Sequence, residues 1–280
     1  MREQLRYADR SDRAKLRVTG SQSSWFLDQI LTQSFQDMKP GDARDAALIT
    51  VHGRMIGYLE AVATAAAFLL HFEPELLPIV PDTLQRYVLA TQVQIEDVGQ
   101  ELGLVLVVGS GWREPAPLLQ ALAVQATSGL GVDAGYLWLP RPAVPEALAS
   151  LARGGGRPVS EEELEAVRIA HGVARWGRDM DDKTFPQEAG IDDRAVHYQK
   201  GCYLGQEAMA KIHFRGKVNR RLARLRAVAP VMVGAEVSVE GTKVGRVTSA
   251  SDGSALAMVR TSVEPGAEVV VGDARAEVVG

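Results

Sequence analysis

From about residue 218 onward the chain has few ways to fold. Apolar alternation appears at Val237-Ser238-Val239, Val244-Gly245-Arg246-Val247 and Leu256-Ala257-Met258-Val259. Glu240-Gly241, Asp252-Gly253, Pro265-Gly266 and Gly272-Asp273 cut these runs at close spacing. A period of two sends one side of each strand into a core. Acidic-glycine pairs supply the positive φ that tight hairpins require. Strands this short, with no room for helical crossovers, describe a small antiparallel barrel or meander over 218–280. That stretch contains no cysteine or histidine, so no nucleophile or general base of those types is expected in it.

Upstream, the periodicity is mixed. Ala14–Val18 reads as a strand, and 21–33 as a helix with Trp25, Phe26, Ile30 and Leu31 at helical spacing. Short strands are expected at Ala47–Val51, Met55–Ala63, Ala67–Phe72, Val93–Glu96, Leu104–Val108 and Ala134–Leu139, with a helix between them over 81–90. Strand, strand, helix, strand, strand between about 46 and 109 describes a compact α+β unit. Further helices are expected at Leu118–Gln125, at Pro145–Leu151 and from Ser160, where a serine N-cap precedes three glutamates. Gly154-Gly155-Gly156 lacks the Lys-Ser/Thr of a phosphate loop and reads as a flexible linker.

Bulk properties narrow the class. The 280 residues are 46% hydrophobic and 24% charged, as in ordinary globular proteins, with a net charge of −4 that argues against broad nucleic-acid binding. The start has no apolar signal region, and the apolar stretch from Ala61 to Leu70 is about half of a membrane span. A monomer in the cytoplasm, not attached to membrane, is expected. The single cysteine excludes an internal disulfide and a cysteine metal cluster. Five histidines show no HxxxH or HExxH spacing, so no metal site is expected.

Cys202 lies in a loop between Gly201 and Gly205, just ahead of a helix that begins near Gln206. Lys200 stands two residues away. An ammonium and a helix N-terminus both favour the thiolate, which predicts a lowered thiol pKa, while Glu207 opposes it. A buried structural cysteine is the competing reading.

The string Lys200-Gly201-Cys202-Tyr203-Leu204-Gly205-Gln206-Glu207, followed by Phe214-Arg215-Gly216, closely resembles the signature of the YgfZ-type folate-binding proteins and their mitochondrial relatives. Arg168-Ile169-Ala170-His171-Gly172 and Phe185-Pro186-Gln187-Glu188 look like that family's preceding helix and loop. Val18-Thr19-Gly20 and Val244-Gly245-Arg246-Val247-Thr248-Ser249 resemble the wider superfamily of the glycine-cleavage T-protein. The resemblance implies an α+β, three-domain ring: a composite folate-binding body (1–45 and 112–217), an inserted ferredoxin-like unit (46–111) and a C-terminal barrel (218–280). It implies tetrahydrofolate or a one-carbon derivative as cofactor, and iron–sulfur client or assembly proteins as partners. Cys202 and Lys200 become candidates for chemistry, and Tyr203, Gln206, Glu207, Arg168, Trp176 and Arg215 for folate binding.

Gly53-Arg54-Met55-Ile56-Gly57-Tyr58 departs from the T-protein, which carries paired aspartates where this chain has Gly57 and Tyr58. Ala170 stands where the T-protein has a glutamate near the pterin. Ordinary aminomethyl transfer is therefore disfavoured, leaving an accessory factor, a transferase or demethylase, or a docking scaffold as alternatives. Asp179, Asp181 and Asp182 read as solvated loop charges. The basic run Arg215, Lys217, Arg220, Arg221, Arg224 and Arg226 reads as a solvated face, or else as an anion site for the folate glutamate tail.

Overall fold

Long runs of aliphatic residues make the central strands buried on both faces, and the few charges inside those runs mark where function must be sought. The computed structural model describes residues 4–89 and 91–280, the side chain of Arg215 excepted. Ala90, the expected end of a helix, lies outside the described residues. The chain divides into two compact units. One comprises the residues up to 128 with 132–160 and 194–206, and the other comprises 129–131, 161–193 and 207–280.

The first unit runs β1 (Arg6–Asp9), β2 (Ala14–Thr19), α1 (Ser23–Ile30), β3 (Ala43–Ile49), β4 (Met55–Ala63), β5 (Phe68–Phe72), α2 (Val80–Gln85), β6 (Gln94–Asp97), β7 (Leu102–Val108), β8 (Ala123–Ala126), β9 (Ala134–Pro140), α3 (Val144–Arg153) and β10 (Arg157–Pro158). These make two five-stranded sheets, β3-β4-β5-β2-β6 and β10-β1-β7-β9-β8. Every residue of β5 and β7 is buried. Helix α3 covers the second sheet with Val144, Ala147 and Leu151, at the i, i+3, i+7 spacing of one helix face.

The chain continues through α4 (Glu161–Ala170), α5 (Asp192–Ala195) and α6 (Gln206–Arg215). Six strands then close a barrel in the order β11-β14-β13-β12-β15-β16: β11 (Arg220–Ala227), β12 (Glu236–Val239), β13 (Thr242–Ser251), β14 (Ser254–Arg260), β15 (Glu268–Val271) and β16 (Ala274–Val278). Alternate residues, among them Val237, Val247, Val259, Val269 and Val278, fill its core. Both central residues of two hairpin turns have positive φ, Glu240-Gly241 at 48° and 77° and Asp252-Gly253 at 35° and 78°. That is the backbone a primed turn demands, and the antiparallel barrel expected from those dipeptides is present. Among the described residues no helix is long and apolar enough to cross a membrane.

Three local expectations are corrected. Leu118–Gln125 is not a helix: turns lead into β8, whose backbone pairs with β9 and whose Gln125 side chain accepts the Trp138 indole N–H at 2.8 Å. A tertiary partner overrides helical spacing there. Helix α2 stops at Gln85, well short of the expected end. Gly154-Gly155-Gly156 is an ordered helix exit, its three amides bonded to the carbonyls of Ser150, Ala152 and Leu151, with Gly155 at φ +86°.

Candidate functional site

The segment 194–206 is pinned to the end of α1 and to β3 of its own unit. Thr32 Oγ1 donates to the Ala195 carbonyl at 2.6 Å, the His197 amide to Thr32 at 2.9 Å, and the Leu204 amide to Gln29 at 3.0 Å. Gly205 (φ +79°) lies so close to Thr50 that a Cβ would stand 2.5 Å from its carbonyl oxygen. Only glycine fits there.

Lys200 is the main fastening. Its Nζ donates to the carbonyls of Asp28, Leu31 and Gln33, the latter two at 2.6 and 2.7 Å. An ammonium has three N–H donors, and three carbonyls at the C-terminal end of α1 use all of them. This caps the negative end of a helix dipole with a cation. No donor remains to point at Cys202. Burial pulls Lys200 down to about 8, opposed by the Asp28 charge.

Cys202 itself is exposed, four residues ahead of α6. The Tyr203 ring lies 4.6 Å from the Lys200 ammonium, and burial pushes its phenol up to about 12. The Tyr203 hydroxyl is buried and has no hydrogen-bond partner among the described residues. Gln206 Nε2 reaches the Lys200 carbonyl at 3.3 Å, and Glu207 is exposed in the first turn of α6.

The same segment begins at Arg194, which enters a polar cluster that sequence reasoning did not assemble. Asp45 and Glu60 are direct cross-strand partners on β3 and β4, and Glu60 in turn faces His71 on β5. All three are buried. Asp45 Oδ2 accepts hydrogen bonds from Tyr58 (2.7 Å) and from the Ser128 hydroxyl, and Arg194 Nε lies 3.2 Å away. Arg194 Nη2 is buried without an acceptor.

Glu60 Oε2 accepts from Thr127 Oγ1 at 2.5 Å, and Arg13 Nη2 stands 3.8 Å from Oε1. Arg13 also donates to Glu73 and to His71 Nδ1, each at 2.7 Å. A donor to Nδ1 requires an unprotonated nitrogen, and burial holds His71 well below its ordinary pKa, so the ring is neutral. Burial first, and then the Asp45 charge, raise Glu60 to about 7. A carboxyl group poised near neutrality can hold or release a proton at physiological pH. Tyr58 thus stands where the T-protein pattern has aspartate, but a carboxylate is supplied to it from the neighbouring strand. The signal in the sequence was the placement of Asp45, Glu60 and His71 inside apolar strands, where an unpaired charge would be costly.

Three other candidates lie in the second unit. Arg168 is 3% exposed and makes five hydrogen bonds: two to Glu165, and one each to the Val173 carbonyl, Asp179 Oδ2 and Ser249 Oγ. A guanidinium has five N–H donors, so none is left for a ligand. Asp179 is correspondingly buried, not a solvated loop charge: it also accepts from Thr248, Ser249 and the Arg175 amide, while Asp181 and Asp182 are exposed. Trp176 is buried in a turn bridged to Met180.

The side chain of Arg215 lies outside what is described. In the rest of the basic run, Arg220 pairs with Glu188, and Arg221 and Arg224 bond backbone carbonyls of their own unit. Lys217 is exposed.

Two five-stranded sheets and a closed six-stranded barrel make an aminomethyltransferase-like fold. The glycine-cleavage aminomethyltransferase T of Bartonella henselae matches with a TM-score of 0.87 and 19% identity, over 100% of this chain and 86% of that one. Residues 219–279 match the CAF17 C-terminal beta-barrel domain. A chloroplastic protein of Arabidopsis thaliana named as a transferase is 26% identical over 88% of this chain and 61% of its own length. An iron–sulfur cluster assembly factor IBA57 homologue of Mycosarcoma maydis is 26% identical over 56% of this chain and 38% of its own. The tRNA-modifying protein YgfZ of Klebsiella pneumoniae is 24% identical over 78% and 70%. These matches support a likeness to the YgfZ- and IBA57-type proteins and to the aminomethyltransferases. The chain spans less than two thirds of the length of the first two of these relatives.

Proposed function

We propose that the protein binds a reduced folate and supports the assembly or repair of iron–sulfur enzymes, with Cys202 as the reactive residue. One observation carries this reading. The 194–206 segment joins an exposed thiol to two buried donors, Arg194 Nη2 and the Tyr203 hydroxyl, that have no acceptor of their own. An orphaned buried donor costs about 1–3 kcal/mol unless a ligand satisfies it. A folate fits that need, because its pterin carbonyl, ring nitrogens and glutamate carboxylates are acceptors.

When bound, the folate supplies a one-carbon carrier. Arg194 and Tyr203 hold it, Glu60 keeps or yields a proton near pH 7, and Cys202 meets the client from the exposed loop. Lys200 and Gln206 keep that loop in shape. The names of two relatives, an iron–sulfur cluster assembly factor and a tRNA-modifying protein, support an accessory role.

Calorimetric titration with tetrahydrofolate tests the reading. Micromolar binding is expected for the wild type, with at least tenfold weakening in Arg194→Ala. Absence of heat at protein concentrations suited to micromolar affinity defeats the proposal. A second reading, folate-dependent transfer from a small amine, is favoured by the Asp45–Tyr58 bond and the near-neutral Glu60. Release of methylene-folate from an amine donor, lost in Glu60→Gln, would select it.

A further inference from the structure

A cleft of about 640 Å³ lies wholly within the second unit, between the 177–184 loop and strands β13 and β14 of the barrel. The loop wall is fixed. Gly177 (φ +75°) turns tightly, its amide bonded to the Met180 carbonyl at 2.9 Å, and the buried Asp179 is tied to Arg168, Thr248 and Ser249. The barrel wall is a closed ladder with no free edge. Neither wall needs to be ordered by a ligand, which lowers the cost of binding.

The charges around this cleft do not balance internally. Five cations line it, and two of them have carboxylate partners outside its lining: Arg220 with Glu188 at 2.9 Å and Lys243 with Glu236 at 3.0 Å. Arg178, Arg246 and Arg260 are exposed, and their side chains have no ion pair or hydrogen bond among the described residues. Asp179 is occupied by Arg168. Asp181, whose Oδ1 accepts from the neutral Lys183 amide and Thr184 hydroxyl, leaves one negative charge against the three arginines. Arg260 also stands directly across from Arg220 in the β11–β14 register. Like charges at opposed strand positions are destabilising, and an incoming anion relieves that repulsion.

The rest of the lining decides what kind of anion fits. Val233, Val244, Met258 and Val259 give it an aliphatic component, and no aromatic or histidine ring lines it. Nucleic-acid sites without sequence preference stack bases on aromatic side chains, and this cleft offers none. The volume greatly exceeds a single phosphate and suits a few residues of chain. Guanidinium forks match carboxylates in bidentate fashion.

We infer that this cleft docks an acidic peptide segment of a partner protein, with carboxylates on Arg178, Arg246 and Arg260 and an aliphatic side chain between them. This interaction stands apart from folate binding, because no residue of the 194–206 segment lines the cleft.

Fluorescence anisotropy on the full-length chain, with the fluorescein-labelled peptide DELDE, tests the inference. Saturable binding is expected, at least tenfold tighter than for the neutral peptide NQLNQ and severalfold weaker when salt rises from 50 to 300 mM. The double variant Arg246→Glu, Arg260→Glu should lose at least tenfold in affinity. Its thermal midpoint should not fall and its tetrahydrofolate response should be unchanged, since both side chains are on the surface and Arg260→Glu replaces a like-charge pair with Arg220. The inference fails if DELDE and NQLNQ bind alike, if neither binds at millimolar concentration, if the charge reversals leave affinity unchanged, or if deca-thymidylate binds more tightly than DELDE.

Discussion

Asp45 and Glu60 face each other across β3 and β4, two carboxyl groups on one buried sheet face. Glu60 carries the electrostatic cost, its pKa raised to about 7 from an ordinary value near 4.5. The folded chain therefore retains a proton between those values that the unfolded chain has released. Stability contributed by the protonated group is complete below about pH 4.5 and falls as pH rises toward 7, by about 3 kcal/mol in all. Burial keeps His71 neutral, which raises stability toward pH 6.5 and opposes this decline. The Glu60 part is therefore read as the difference in denaturant midpoint between wild type and Glu60→Gln from pH 5 to 8. Glu60→Gln should lack the decline, and Asp45→Asn should shift it toward lower pH by removing the charge that opposes Glu60. An unchanged slope in Glu60→Gln counts against this assignment. Burial lowers Lys15 and Lys200 to about 8, so their titration acts above this window.

Lys200 presents a choice between chemistry and architecture. Three charge-assisted hydrogen bonds to the carbonyls of Asp28, Leu31 and Gln33, at and just past the end of α1, predict that Lys200→Met costs about 2–4 kcal/mol. Protection of amides in 28–35 and 197–204 against hydrogen exchange should fall with it. A stable Lys200→Met protein with unchanged exchange but no activity assigns the lysine to chemistry instead.

Arg168 and Asp179 form a buried pair whose removal leaves one charge uncompensated. Arg168→Met is expected to destabilise the chain by about 3–5 kcal/mol. Tetrahydrofolate affinity, measured at a temperature where the variant stays folded, should hardly change. Selective loss of folate binding in a variant of normal stability assigns Arg168 to the ligand.

Cys202 is exposed, so the native protein should take up one equivalent of a maleimide without prior unfolding. Cys202→Ser removes no packed group, and its stability should lie within about 0.5 kcal/mol of wild type. Tetrahydrofolate should slow the labelling. Labelling that requires denaturant returns Cys202 to a structural part.

Tyr58→Phe removes one of the hydrogen bonds to Asp45 and leaves a buried carboxylate less well satisfied. A loss of about 1–3 kcal/mol is expected by chemical denaturation. No loss at all means that Ser128 and Arg194 already suffice for Asp45.

The barrel was legible in the sequence because its information is local. Glu240-Gly241 and Asp252-Gly253 dictate their own backbone angles, and alternating valines assign the inner face whatever surrounds them. The Lys200–Glu207 string was equally legible as a motif, and Gly205 owes its identity to the close approach of Thr50. Contacts between residues distant in sequence decided the rest. Cys202 has Lys200 as a neighbour along the chain, but the ammonium is drawn away by carbonyls about 170 residues earlier. Asp45, Glu60 and His71 are ordinary charges until strand register sets them in one row. Leu118–Gln125 has helical spacing, yet pairing with β9 makes its end a strand. Local chemistry can specify a turn or a strand face. A shifted pKa, a spent ammonium and a satisfied guanidinium depend on what folding brings within about 3 Å, and pairwise proximity is not encoded in any short window of sequence.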